Sequence, residues 1–239
     1  STSALRARAK IISQIRAFFA ERDVLEVDTP LLCRVTATDP HLQSICVPLS
    51  NGDTGYLQTS PEFPMKRLLA NGVGSIYSLG KVFRGDESGR FHNLEFTMLE
   101  WYRIGFDHHQ LMDEMAALFK LVLQSPGTTR VTYRTIFLQT LSLDPFTASL
   151  EELKNATVRG GINTENLGED RDVWLQLLMS HLIEPQLGAS QPHFIYDFPA
   201  SQAALAKIRH EDNITVGERF EVYVQGVELA NGYHELTNA

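Results

Sequence analysis

An α+β fold, an antiparallel sheet flanked by helices, follows from three features of this 239-residue sequence. Residues 75–103 read as a long antiparallel hairpin, and residues 219–229 read as a second, shorter one. Between them, the block 106–210 repeats apolar residues at three- and four-residue spacing, the signature of amphipathic helices. No internal repeat, low-complexity tract or long linker divides the chain, so residues 1–239 are expected to form one domain with a helical insertion over about 106–210.

The composition suits a folded protein with a substantial core: 43% of residues are hydrophobic and 21% charged. No apolar run reaches the ~18 residues that a membrane span needs. The basic start, Ser1 to Lys10, leads into an amphipathic pattern and not into a signal peptide's apolar core. Cys33 and Cys46 are the only cysteines, too few for a disulfide scaffold or a four-ligand zinc site, and the cytoplasm is the expected compartment. Asp and Glu number 29 against 21 Lys and Arg, a formal charge of −8 that argues against broad nucleic-acid binding. A local basic surface remains compatible with it.

In chain order, Leu5, Ile12, Ile15 and Phe19 predict a helix over about 4–22. Val24 to Val27 predicts a short strand that ends at Asp28-Thr29-Pro30. Asp39-Pro40, Asn51-Gly52 and Thr54-Gly55 mark turns, so residues 34–55 are expected to be loops with short strands. Ser60-Pro61-Glu62 predicts a cap, a first-turn proline and a first-turn acid for a helix that runs to Gly72. Within the central block, 107–124 and 171–184 are the strongest helical patterns, with weaker ones near 131–141 and 149–155.

Alternation divides the second arm of the first hairpin into two faces. Thr97, Leu99 and Trp101 share one. Phe96, Met98, Glu100 and Tyr102 share the other, where a carboxylate between a methionine and a phenol is unusual for a pure core. The adjoining loop carries Arg84, Asp86, Glu87, Arg90, His92 and Asn93. This set suits an anionic, nucleotide-like ligand, and a solvated loop with one salt-bridged glutamate explains it equally well.

The second hairpin is sharper. A two-residue turn at Gln225-Gly226 sets Val224 against Val227 and Tyr223 against Glu228. Glu221 then shares a face with Tyr223, diagonal to Glu228 at roughly 7 Å between Cβ atoms. Two carboxylates so placed can close on one Mg²⁺; a solvent-facing polar strand is the plain alternative. Strict alternation puts Glu228 and Asn231 on opposite faces, so both can serve one site only if a bulge intervenes, expected near Gly232. The pair His108-His109 lacks metal-ligand spacing to any other residue and is expected to be exposed. No Gly-rich phosphate loop, nucleophile elbow or CxxC occurs, so phosphate binding would fall to side chains.

Phe83-Arg84-Gly85-Asp86 followed by Arg90-Phe91-His92-Asn93-Leu94-Glu95-Phe96-Thr97-Met98-Leu99-Glu100 resembles motif 2 of the class II lysyl-tRNA synthetases. Val27-Asp28-Thr29-Pro30 resembles their motif 1, whose proline lies at a dimer interface. Thr59-Ser60-Pro61-Glu62 resembles the amino-acid-binding segment, and Glu221 to Glu235 resembles the metal- and lysine-binding strands. Asp197-Phe198-Pro199-Ala200-Ser201-Gln202 and Glu228-Leu229-Ala230-Asn231-Gly232 resemble a paralogous branch of that family, which modifies elongation factor P. The four motifs occur in the family's order and span essentially the whole chain. Motif 1 falls within the first thirty residues, so the synthetases' anticodon-binding domain is not expected. The Gly-rich third motif has no counterpart before Ala239, so the catalytic domain is expected without it.

The resemblance implies the class II synthetase catalytic fold, a homodimer, and use of ATP with Mg²⁺. It implies activation of lysine or (R)-β-lysine to an aminoacyl-adenylate, then transfer to a lysine side chain of elongation factor P, with tRNA and membranes not expected as partners. It makes Arg84 catalytic, bridging the substrate carboxylate and the α-phosphate. Asp86, His92, Asn93 and Phe96 join it in binding ATP, Phe96 by stacking on adenine. Glu221 and Glu228 would hold Mg²⁺, while Glu62, Glu100, Tyr102, Asn231 and Glu235 would bind the amino acid. A stand-alone lysyl-tRNA synthetase or amide synthetase fragment uses the same adenylate chemistry. A dimeric binding module without activity is the reading that the missing third motif supports.

Overall fold

A computed structural model describes residues 1–36, 42–85, 93–165, 167–211 and 213–237. Asp86 and His92 lie outside the described residues. The chain divides into two units, Ser1–Gly105 and Phe106–Ala239.

In the first unit, α1 (Thr2–Ala20) is capped by the Ser1 hydroxyl and buries Ile15, Phe18 and Phe19. The elements β1 (Leu25–Glu26), β2 (Leu32–Cys33), β3 (Cys46–Pro48), β4 (Thr54–Leu57), α2 (Glu62–Ala70), β5 (Ile76–Phe83) and β6 (Glu95–Tyr102) follow. The expected first hairpin forms with β5 and β6 antiparallel, in register from Ile76 opposite Tyr102 to Phe83 opposite Glu95. The short strand β1 lies parallel to β5 on its other side. Helix α1 covers one face of this sheet. Phe19 stacks on Tyr77 with ring centroids 4.5 Å apart and lies 5.5 Å from Trp101, while Arg8 donates to Thr97 Oγ1 at 2.8 Å. The Thr97, Leu99 and Trp101 face is therefore the packed one, which leaves Phe96, Met98, Glu100 and Tyr102 on the other.

Two details of this unit differ from expectation or explain it. Pro61, not Ser60, occupies the N-cap of α2, and the Ser60 hydroxyl instead accepts from the Glu62 N–H at 3.4 Å. Cys33 and Cys46 both pair with Tyr56, from opposite sides of β4. Two strand spacings, roughly 9–10 Å, separate them, beyond the reach of a disulfide, and both thiols are free.

The second unit comprises α3 (His108–Val122), β7 (Thr129–Thr132), α4 (Tyr133–Leu141), α5 (Leu150–Arg159), α6 (Arg171–Leu178), β8 (His193–Pro199), β9 (Ile208–Glu211), β10 (Ile214–Val224) and β11 (Val227–Tyr233). Capping boxes start α3, with Asp107 and Gln110, and α5, with Ser149 and Glu152. The block expected as a helical insertion thus contains α3 to α6 and also three strands. Strands β7 and β8 join β10 and β11 in one sheet of order β11-β10-β8-β7, with β9 alongside β10. In β8 the adjacent residues Phe194 and Ile195 are fully buried on opposite faces of the sheet, so the strand shows none of the alternation that marks a half-exposed strand.

The two sheet faces bury different clusters. On one, Phe194 and Phe220 pack together at 5.9 Å, and Phe119 of α3 lies 6.3 Å from Phe194. On the other, Ile195, Phe198 and Tyr223 meet Tyr133, Phe137, Leu153, Leu175 and Leu178 from α4, α5 and α6. Each fully buried Leu or Phe contributes ~1.5–3 kcal/mol. This second face turns Glu221, which shares it with Tyr223, toward the helices.

After Leu178 the helix expected to reach residue 184 widens into a π-helical turn, Met179–Ile183, and a 3-10 turn, Glu184–Gln186. Proline at 185 cannot supply the next helical N–H. The Gly188 that follows has φ +71°, and a Cβ there would sit 2.3 Å from the Tyr223 carbonyl oxygen. This close approach lets the Leu187 and Gly188 carbonyls accept from Gly226 and Gln225 at the tip of the β10–β11 hairpin. Among the described residues no helix is long and apolar enough to cross a membrane.

Candidate active site

In the first unit the open face of the hairpin collects the residues that sequence reasoning singled out. The Tyr102 hydroxyl donates to Glu100 Oε1 at 2.9 Å, so the phenol holds the carboxylate along the strand. The Arg84 guanidinium lies 5.4 Å from the centre of the Phe96 ring and donates through Nε to the Thr59 carbonyl at 3.3 Å. That carbonyl is placed by Gln58, a buried side chain that donates to the Lys81 carbonyl at 3.0 Å and accepts from Thr29. Glu62, at the start of α2, pairs with Lys66 Nζ at 2.8 Å one turn later. Asn93 stands exposed just before β6. Arg84, Phe96, Glu100 and Tyr102 are thus carried by two adjacent antiparallel strands, an arrangement able to present a cation, a ring and a carboxylate to one ligand.

In the second unit the expected turn at Gln225-Gly226 forms, with φ of +52° and +74°, the conformation of a two-residue hairpin turn. Val224 faces Val227 and Tyr223 faces Glu228 as predicted. The bulge exists but lies earlier than expected: Val222 pairs with Ala230 and Tyr223 with Glu228, which leaves Leu229 as the extra residue. A bulge at Leu229, not near Gly232, brings Glu228 and Asn231 onto the face of Glu221, with Asn231 opposite Glu221. The Asn231 amide donates to Glu228 Oε1 at 3.4 Å. Glu235 forms an isolated bridge with Ala206, flanked by the backbone bonds of His234 and Leu236, so its strand segment is tied down.

Glu221 is only 8% exposed, and its charge is held from two sides. Arg219 donates to Oε1, and the Tyr223 hydroxyl donates to Oε2 at 2.5 Å. The Tyr223 phenol is raised far above its ordinary value, by burial and then by the Glu221 charge. Glu228 is pushed up to about 7, first because surrounding protein displaces water from a side chain that still reaches the surface, then because Glu221 is close. The Glu184 carboxyl is also raised, by burial and by Glu221, and accepts from Tyr223 at 3.2 Å.

Glu184, Arg219, Glu221 and Glu228 line a cleft of about 670 Å³ within the second unit, with Tyr133, Asp172, Gln202 and Phe198 among its walls. Sequence reasoning missed Arg219, Glu184, Asp172 and Tyr133. Period-2 spacing could have found Arg219, which alternates with Glu221 and Tyr223. Nothing local marks the other three. His108, expected to be exposed, is only 2% exposed, because its ring turns from the first residue of α3 to Asp197 on β8, at 3.2 Å. His109 alone of the pair is exposed.

Glu221 and Glu228 offer hard carboxylate oxygens on one sheet face, which fits Mg²⁺; the other positions of such an ion go to water or phosphate. Among the described residues no group of three or more His, Cys, Asp and Glu forms a self-sufficient metal cage.

Residues 1–239 match the family described as tRNA synthetases class II (D, K and N). A protein of Vibrio cholerae named elongation factor P–(R)-beta-lysine ligase is 54% identical, with the whole of this chain aligned to 75% of its length. Proteins of the same name from Vibrio campbellii and Proteus mirabilis are 52% and 49% identical, again over the whole chain and 75% of the relative. The motif resemblance and these similarities agree, and the chain belongs to the class II tRNA synthetases (D, K and N).

Proposed function

We propose that this chain is an ATP-dependent ligase that activates (R)-β-lysine, or lysine, as an adenylate and passes it to a lysine side chain of elongation factor P. The carrying observation is identity of about half over the full chain to proteins named for that reaction. The stand-alone tRNA synthetase fragment and the inactive module have no comparable support.

A substrate carboxylate is already ionised at neutral pH, so its attack on the α-phosphorus of ATP needs positioning and charge neutralisation more than a base. Arg84 suits the bridging role, since one planar fork can address two oxyanions at once. Phe96, beside it, offers a ring face to adenine, with Asn93, Asp86 and His92 as further ATP contacts. Glu100, with its carboxylate held by Tyr102, takes the distal ammonium group, and Glu62 takes the other amino group. Asn231 orients the substrate carboxylate. A carboxylate–ammonium contact near 4 Å is worth ~4 kcal/mol at an effective dielectric of 20, enough to reject uncharged analogues. Glu221 and Glu228 hold Mg²⁺, which when bound supplies charge neutralisation to phosphate oxygens. A homodimer joined through the Val27-Asp28-Thr29-Pro30 segment and residence in the cytoplasm complete the proposal.

Incubation with ATP, Mg²⁺, labelled (R)-β-lysine, elongation factor P and tRNA tests it. Label is expected on the factor. Label on tRNA instead, or no lysine-dependent ATP–pyrophosphate exchange, overturns the proposal.

A further inference from the structure

The cleft of the second unit holds more carboxylate than two metal ligands require. Besides Glu221 and Glu228, it is lined by Asp172 and Glu184, with Arg219 as the one cationic wall residue among the described residues. Most of this charge has partners. Asp172 Oδ1 accepts from Ser201 and Gln202, each at 2.9 Å. Arg219 is committed to Glu221 and to the Gln202 carbonyl at 2.8 Å. Glu184 differs: it shares the single Tyr223 proton, which Glu221 holds at 2.5 Å against 3.2 Å for Glu184, and no ion pair engages it among the described residues.

A second observation points the same way. Tyr133 is 1% exposed, yet its hydroxyl makes no hydrogen bond; the Gln202 amide leans toward it without reaching bonding geometry. A buried polar atom on the wall of a cleft, left without a partner at a cost of ~1–3 kcal/mol, marks a position where a ligand atom or its water belongs. Between these groups the lining mixes apolar Val173, Leu177, Met179 and Phe198 with the uncharged polar residues Gln176, Ser180 and Ser201.

We infer that this cleft receives a primary alkylammonium group, the side chain of the acceptor lysine on the protein partner, with Glu184 as its counter-ion and Tyr133 as a hydrogen-bond partner. This rests on the ligase reading above and adds the acceptor's port to it. The apolar members of the lining suit a chain of methylenes, and Glu184 stands apart from the Glu221 and Glu228 pair assigned to the metal. A free amino acid would bring its carboxylate among four others, with Arg219 already engaged, whereas a lysine within a protein brings no carboxylate. Glu184 therefore binds the acceptor; activation of the donor amino acid runs through the other residues.

Steady-state transfer to elongation factor P, measured beside lysine-dependent ATP–pyrophosphate exchange, tests this. Glu184→Gln should raise the acceptor KM at least tenfold more than it raises the amino-acid KM in exchange. Glu184→Asp should recover most of the loss, and Tyr133→Phe should raise the acceptor KM about threefold. n-Butylammonium should compete with elongation factor P and not with lysine, and its affinity by calorimetry should fall at least fivefold in Glu184→Gln. Equal changes in both KM values, a shifted Mg²⁺ requirement in Glu184→Gln, or competition of butylammonium with lysine would overturn the inference. If exchange is absent altogether, the ligase reading fails. The port is then judged by calorimetry alone, where equal butylammonium affinity of the two proteins overturns it.

Discussion

The Tyr223 hydroxyl donates to Glu221 Oε2 at 2.5 Å from a side chain with no exposed surface. A core residue thereby aims a carboxylate proposed to hold Mg²⁺, and the same sheet face supplies both packing and chemistry. Tyr223→Phe removes the donor and leaves a buried carboxylate oxygen short of a partner. It should cost about 1–3 kcal/mol in denaturant unfolding and raise the Mg²⁺ concentration for half-maximal exchange several-fold. An unchanged Mg²⁺ titration would show that the hydroxyl serves packing alone.

Arg84 carries the proposed charge neutralisation. Arg84→Ala should lower kcat for exchange by about 10²–10³, the size of effect seen when one donor to a developing oxyanion is removed. Arg84→Lys should restore little, because an ammonium cannot address two oxyanions in one plane. Near-unchanged melting temperatures for both variants would place the loss in the site.

Glu100 and Tyr102 separate charge from placement. Glu100→Gln removes the counter-ion of an ammonium and should raise the amino-acid KM roughly 10- to 100-fold. Tyr102→Phe removes one neutral donor, about 0.5–1.5 kcal/mol, and should raise it roughly 2- to 10-fold. The reverse order would show that the phenol and not the carboxylate recognises the substrate.

Asp197 links acid stability to the fold. Burial pushes its carboxyl up, but hydrogen bonds from His108 Nε2 at 3.2 Å and Arg209 Nη2 at 2.8 Å outweigh burial and hold it below the ordinary carboxylate range. A depressed folded value means that the stabilisation is complete above the unfolded value of ~3.9 and is lost as pH falls through the folded one. Asp197→Asn keeps a residue that tolerates the observed φ of +58°. It should cost about 1.5–3 kcal/mol at pH 7, with the difference from wild type shrinking below about pH 4. A pH-independent difference between the two unfolding curves would contradict this assignment.

Gly188 tests how the hairpin tip is held. With φ +71° and the Tyr223 carbonyl 2.3 Å from the position of a Cβ, Gly188→Ala must displace backbone. It should destabilise the protein by more than about 2 kcal/mol in chemical denaturation. A smaller loss would mean that the Leu187–Gly188 segment moves freely from the turn.

Both hairpins were legible because their signals are local. Alternation named the Phe96, Met98, Glu100, Tyr102 face, and Gln225-Gly226 set the register of Tyr223 against Glu228. Strand β8 was not legible, since burial of Phe194 and Ile195 on opposite faces erases period-2 contrast and leaves it looking like any apolar run, while β7 has only four residues in which to show a pattern. The need for a bulge followed from the odd spacing of Glu228 and Asn231, but its position did not. Leu229 can be the extra residue because only the pairing of the whole ladder decides where a register slip costs least.

By itself the sequence determined the element types with strong periodicity, the two candidate faces and, through ordered motifs, the family. Tertiary structure alone decided which residues meet. Glu184 reaches Tyr223 across 39 positions, His108 reaches Asp197 across 89, and Arg209 closes on the same aspartate from β9. Such pairs leave no trace in local pattern, because a hydrogen bond depends on angstrom-scale placement that the packed core supplies and the order of residues does not state.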